Sequence, residues 1–322
     1  MKFSDLMLDM ATGDASPHDV YIQEAVGKIN VSTAIFDAAY KISELPEEGR
    51  FAIVQEAADA GLPTDQEGAC TLACESVKQS MAAFYDLLVS TAKKIKQSVE
   101  KDMKALSAIG KKYGVSSGED FKSFVANLAK AIVADNGKKL TLPDKRFLKA
   151  KYSDDIADCY GAGMANFLSA YGVSVSNTIL ADEYNAKRDV NSFKSIKKNF
   201  AYGGKCINFD KTVNKEKHYT NGVTASDITS LGEALFTIYH VSKAVIDNAG
   251  SSSAKKSSMS LINGLCDKED CSGKKVSKTL EQINEGIKDW TANVTTLTDI
   301  TTKAFTDSIY ALSSAVTGQP GN

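Results

Sequence analysis

The stretch Val77–Gly110, VKQSMAAFYDLLVSTAKKIKQSVEKDMKALSAIG, repeats its apolar residues every eleven positions. Val77, Leu88, Val99 and Gly110 make one row; Met81, Ala92 and Met103 a second; Phe84, Ile95 and Leu106 a third. Eleven residues fill three helical turns at about 3.67 residues per turn, so one straight helix keeps the whole stripe on one side. The pattern predicts a helix over about 72–113, roughly 60 Å long at about 1.5 Å per residue. The fold expected around it is all-α: an elongated helical bundle.

A second stripe with a different period occupies the other end of the chain. Val276, Leu280, Ile283, Ile287, Trp290, Val294 and Leu297 alternate four and three, a heptad rhythm. Thr301 and Phe305 introduce a stutter before Ile309, Leu312 and Val316 resume. A second long helix over about 275–317 follows, with coiled-coil-like packing, and its seven heptad residues are the expected packing or oligomer seam.

Between and before these stripes the punctuation is helical. The 322-residue chain has only five prolines and 43% hydrophobic residues, enough for a sizeable core. Pro17 after Ser16 and Pro46 before Glu47-Glu48 read as helix starts, and Ser116/Glu119 or Ser117/Asp120 as a capping box. Further helices are expected from Asp154 or Asp155, from Ser176 to Phe200, and from Ser226 or Asp227 through the strongly apolar Ile228–Ile246 stretch. Residues 203–224 read as a loop or small hairpin, and Ser251–Ser258 as a flexible linker. The organisation expected is therefore an acidic N-terminal helical region (1–70), a central bundle (71–250), a linker with a Cys266/Cys271 loop (251–273) and a C-terminal heptad helix (274–322).

Charge is nearly balanced at −2 overall, but residues 1–70 carry −9 and the remainder +7. Lys93, Lys101, Lys104 and Lys112 form rows on the back of the central helix, a face that could follow a polyanion. Glu100 and Asp102 lie among them, and interleaved arginine and exposed aromatics are missing, a pattern that more often marks a solvated face.

Little chemistry is written in motifs. His18, His218 and His240 lie far apart in different elements, with no nucleophile–base–acid set nearby. Gly203-Gly204-Lys205 lacks the first glycine and the hydroxyl of a phosphate loop, having Asn199 and Cys206 instead. Cys70 and Cys74 are one helical turn apart, and Cys266 and Cys271 flank an acidic run. The two pairs leave open plain thiols, a local Cys266–Cys271 disulfide, or a four-cysteine metal site, with reduced thiols the default. No catalytic, cofactor or metal residue is therefore assigned.

With no signal peptide at the N-terminus and no apolar run near 20 residues, the chain is expected in the cytoplasm or in a particle assembled inside the cell. The functional expectation is a non-enzymatic structural protein, partnered by itself or by other subunits of an assembly such as a virion. The alternative is a membrane-active protein that releases the Ile228–Ile246 helix. A scaffold contacting nucleic acid is the third.

Overall fold

The computed structural model describes residues 17–45, 65–116, 120–144, 146–170, 215–267 and 276–317, with positions 61, 63, 179, 269 and 271. Over these the chain is all-α, with four two-residue strands. The helix expected at 46–58, that at 176–200 apart from Ile179, and the loop over 203–214 lie outside the described residues.

Helix α1 (Pro17–Glu44) begins at a proline, whose missing N–H and fixed φ suit a first turn. It buries Ile22, Ala25, Ile29, Phe36 and Ala39. Ser32 and Thr33 interrupt that stripe yet are buried too, and Thr33 Oγ1 satisfies itself by donating to Ile29 O at 2.8 Å.

Helix α2 (Gln66–Lys112) is the axis. It starts ahead of the expected Leu72 because Asp65 caps it, the carboxylate accepting from Gly68 N at 2.6 Å. Its 47 residues span about 70 Å. At the far end Tyr113 caps and Gly114 takes φ +68°, and the chain returns as α3 (Phe121–Asp135), capped by Asp120. The return is tight: a Cβ on Gly110 would stand 2.5 Å from Phe124 Cε2, so only glycine lets the two helices meet there.

After α3, β1 (Leu140–Thr141) and β2 (Phe147–Leu148) lead into α4 (Ala150–Ala170). The short α5 (Lys215–His218) precedes β3 (Tyr219–Thr220) and β4 (Gly222–Val223). β1 pairs antiparallel with β4 and β2 with β3, Leu140 facing Val223 and Phe147 facing Thr220. These two ladders pin the entry to α4 against the entry to α6 (Ala225–Ala249). Thr224 caps α6 in a box with Asp227. The other oxygen of Asp227 accepts from Ala150 N at 2.9 Å, so one carboxylate caps two helices. Helix α4 accordingly starts before the expected Asp154 or Asp155.

The Ser251–Ser258 tract is not a linker. It opens α7 (Ser252–Cys266), with Ser251 Oγ accepting from Ala254 N at 3.1 Å. Serine is a strong cap, Ala and Lys tolerate helix, and Lys255 pairs with Asp86 of α2, so docking selects helix over coil. Helix α8 (Lys278–Thr317) follows, anchored at its approach by Val276 N donating to Ser43 Oγ at 3.3 Å.

Pairwise contacts give the directions. Lys94–Asp19 (2.9 Å) and Gln66–Ser43 (3.4 Å) run α1 antiparallel to α2. Tyr85 OH donating to Ala249 O (2.8 Å) and the cation–π contact of Lys96 with Tyr239 run α6 antiparallel as well. Phe84–Trp290 and Asp102–Thr306 run α8 parallel. Thus α1 covers the first half of α2, α6 the second, and α8 lies along both.

Candidate functional site: a four-cysteine node

The expected seam of α8 is occupied within the chain. Val276, Leu280, Ile283, Ile287, Trp290, Val294 and Leu297 are all buried, and the Trp290 ring meets Phe84 of α2 with centroids 6.2 Å apart. Thr301 and Phe305, at the stutter, are buried too. As a seam between copies this face is therefore spent: the apolar rhythm is satisfied by α2 and α1. Against α1, Lys288 pairs with Asp37 at 2.6 Å, and Asn284 Nδ2 donates to the same carboxylate.

The four lysines do not converge. Lys101, Lys104 and Lys112 are exposed, while Lys93 is half-buried in a groove of about 390 Å³ where α1, α2 and the start of α7 meet. Lys94 and Lys96, between them in sequence, pair with Asp19 and Glu100. Lying on a single helix, Lys93 and Lys104 are separated by about 16 Å of axis. The row is thus a line of separate charges.

Each histidine is engaged by a different element. His18 shares a hydrogen bond with Gln97 at 3.0 Å, His218 stacks on Tyr152 at 3.9 Å, and His240 packs on Phe236 and Tyr239. Burial, then Lys93, lowers the pKa of His18; burial, then Lys243 and Lys122, lowers that of His240. Both therefore favour neutral imidazole at physiological pH.

What the structure does bring together is the cysteines. Helix α2 places Cys70 and Cys74 on one face of its second turn, and the end of α7 with the following loop carries Cys266 and Cys271 to them. Cys70 and Cys271 form a disulfide across 201 positions, Cα atoms 5.5 Å apart. This corrects the reading of Cys70 and Cys271 as plain thiols, and of Cys266/Cys271 as a local loop pair, while Cys74 and Cys266 are free thiols. Helix α7 continues to Cys266 and docks on α2, which directs Cys271 at Cys70 instead. In a chain-entropy account, closing so long a loop stabilises the fold by about 5 kcal/mol.

The remaining two thiols stand beside that bond. Cys74 lies with Cys70 and Cys271 in a group whose sulfurs are all within 4.8 Å of one another. Cys266 Sγ donates to Cys74 O at 4.0 Å. Burial, reinforced by Glu269, pushes the Cys74 thiol up to about 11; burial and the neighbouring Cys74 push Cys266 up to about 12. Lys78, a turn further along α2, holds Glu75 and Asp267 at 3.0 and 3.3 Å over the node. Both free thiols are therefore poor nucleophiles as they stand. The Cys-x3-Cys and Cys-x4-Cys spacings were the available signal, but pairing across 200 residues cannot be deduced from spacing.

No family model, curated protein or solved structure matches this chain.

Proposed function

We propose that the chain is a structural subunit, a helical strut that assembles with itself or with other subunits of a larger particle, for which a virion is one setting. The observation that supports this is lengthwise packing: α1, α2 and α8, of 28, 47 and 40 residues, lie along one another. In this reading the α2–α8 pair serves as a coiled-coil-like rod inside the subunit, and contacts between subunits use outer faces. Helix α1 offers such a face, because Tyr21 and Val31 stand 57% and 61% exposed on it. The Cys70–Cys271 bond further supports a mature particle that resides in an oxidising medium, a departure from the cytoplasmic expectation.

Light scattering over a concentration series tests the proposal. Mass should rise above 34.5 kDa with concentration, and a Tyr21→Asp, Val31→Asp double variant should lower it. A monomer at every concentration would sink the idea.

A second reading, action on membranes, is favoured by the enclosure of α6, whose Ile228, Leu231, Leu235, Ile238, Val241 and Val245 are all buried. Among the described residues no helix is long and apolar enough to cross a bilayer, so α6 would have to act at the interface. Leakage from anionic vesicles would support it, and intact vesicles across several compositions would remove it. Nucleic-acid contact through the exposed Lys101, Lys104 and Lys112 is a third reading, tested by salt-dependent binding of a duplex.

A further inference from the structure

The four cysteines come from two short segments about 190 residues apart in sequence, and each segment supplies a pair. On α2, Cys70 and Cys74 are related by one turn and held on a rigid element. From the other side, Cys266 ends α7 and Cys271 follows in the loop. Three of the sulfurs lie mutually within 4.8 Å, and the fourth touches the backbone of Cys74. A tetrahedral tetrathiolate site has metal–sulfur bonds of about 2.3 Å, hence sulfurs roughly 3.8 Å apart. Opening the Cys70–Cys271 bond frees two of the three grouped sulfurs to take that spacing, and Cys266 Sγ, which lies outside the group, would turn towards them from Cys74 O. A disulfide pair alone would not need two further buried thiols, Cys74 and Cys266, beside it.

We propose that, in its reduced state, this node is a binding site for one thiophilic divalent cation of the zinc class, with Cys70, Cys74, Cys266 and Cys271 as ligands. The state change balances simply. Two electrons from a thiol or phosphine reductant, with two protons from the thiols or from the water that converts the phosphine to its oxide, turn the disulfide into two thiols, and the cation then displaces four protons from four thiols. Soft sulfur ligands in tetrahedral array select zinc over magnesium or calcium. Removal of the electron pair by an oxidant re-forms the Cys70–Cys271 bond and expels the metal. Either state ties the end of α7 to the start of α2, by a covalent bond in one case and by coordination in the other. The proposal does not depend on the assembly reading.

The full-length protein tests it, in oxidised and in phosphine-reduced form, with Co2+ as the spectroscopic probe and Zn2+ as competitor. The reduced wild-type chain should take up one equivalent of Co2+, with thiolate-to-metal charge-transfer bands and the visible d–d bands of a tetrahedral site. Zn2+ should bleach them, and the oxidised chain should show none. Cys266→Ser should weaken Zn2+ binding by more than the roughly 10- to 100-fold that loss of a supporting hydrogen bond costs a metal site. Cys159→Ser, altering a buried thiol of α4, should leave binding unchanged. A reduced wild-type chain without tetrahedral bands would overturn the proposal, whatever the variants do. So would a folded Cys266→Ser or Cys74→Ser chain that binds like wild type.

Discussion

Helix α2 treats two of its long neighbours, α6 and α8, differently. Helix α6 is mostly hydrocarbon inside: Ile228, Leu231, Leu235, Ile238, Val241 and Val245 are buried, Gly232 admits Val125 of α3, and its polar exceptions are few, Ser242 bonded to Tyr160 and Ala249 O to Tyr85 OH. Towards α8 the seam is laced with small polar groups. Thr291, Thr298 and Thr301 are buried on α8, with Ser76, Ser80, Thr91 and Asp102 buried on α2, while Asn284 and Ser308, also buried on α8, bond Asp37 of α1 and Leu148 of β2. Most of these hydroxyls turn back on their own helix, as Thr291 Oγ1 does to Ile287 O and Thr298 Oγ1 to Val294 O. A hydroxyl so satisfied adds little attraction across the seam. The α8 seam must therefore lean on a few large side chains, whereas the α6 seam spreads its adhesion evenly.

The sharpest way to break that contrast is Trp290→Ala. One large ring carries the middle of the α8 seam, so the loss should be about 3–5 kcal/mol, read by chemical denaturation. A Leu235→Ala change in α6 should fall in the lower part of the Leu→Ala range, about 2–5 kcal/mol, because neighbours on three sides can close in. Equal losses would erase the distinction.

Asp102 comes next. Burial raises its carboxyl to about 6, against a hydrogen bond from Thr306 Oγ1 at 3.1 Å and the charge of Lys101. The folded state thus holds its proton more tightly than the unfolded chain. Stability from this group is full below the unfolded pKa, falls as pH rises through about 4 to 6, and stays lower at neutrality. Asp102→Asn should stabilise the protein at pH 7 by on the order of 2 kcal/mol and by nothing near pH 3. A flat difference across that range would refute the account.

On the apolar side, Gly232→Ala places a Cβ 2.4 Å from Val125 Cγ1 and 3.0 Å from Val125 Cβ. A buried valine has little room to yield. The overpacking loss, partly offset by better helix propensity, should come to about 1–2 kcal/mol. Smallest is Thr301→Val: its Oγ1 is buried with no partner among the described residues. Removing that hydroxyl while keeping the shape should gain about 1 kcal/mol, measurable as a raised thermal midpoint. A loss would mean that the hydroxyl is bonded after all.

The all-helical class was legible because Val77 through Gly110 and Val276 through Leu297 each hold one side-chain period for many turns, and period is a backbone-geometry signal. The polar seam was not. Asp102 read as part of a solvated lysine face, and nothing local marks Thr291 or Thr298 as threonines that bond to their own helix and go inside. Helix starts set by distant partners were equally hidden: Ala150 is capped by Asp227, 77 positions away. The Ser251–Ser258 tract misled for the opposite reason, its composition being that of a linker while its docking onto Asp86 makes it helix. Of the candidate site, the residue types at Cys70, Cys74, Cys266 and Cys271 were visible, but a cross-chain pairing is a property of topology. Lys101, Lys104 and Lys112 of the lysine row are exposed, and the groove that takes in Lys93 left no signal in the sequence.

One carboxylate holding the first turns of both α4 and α6 couples the fates of two segments far apart in the chain. If Asp227 lets go, the amides of Ala150 and Thr224 lose their acceptor at the same moment. The two helices then cannot fray independently, and solvent reaches both entrances in a single opening event.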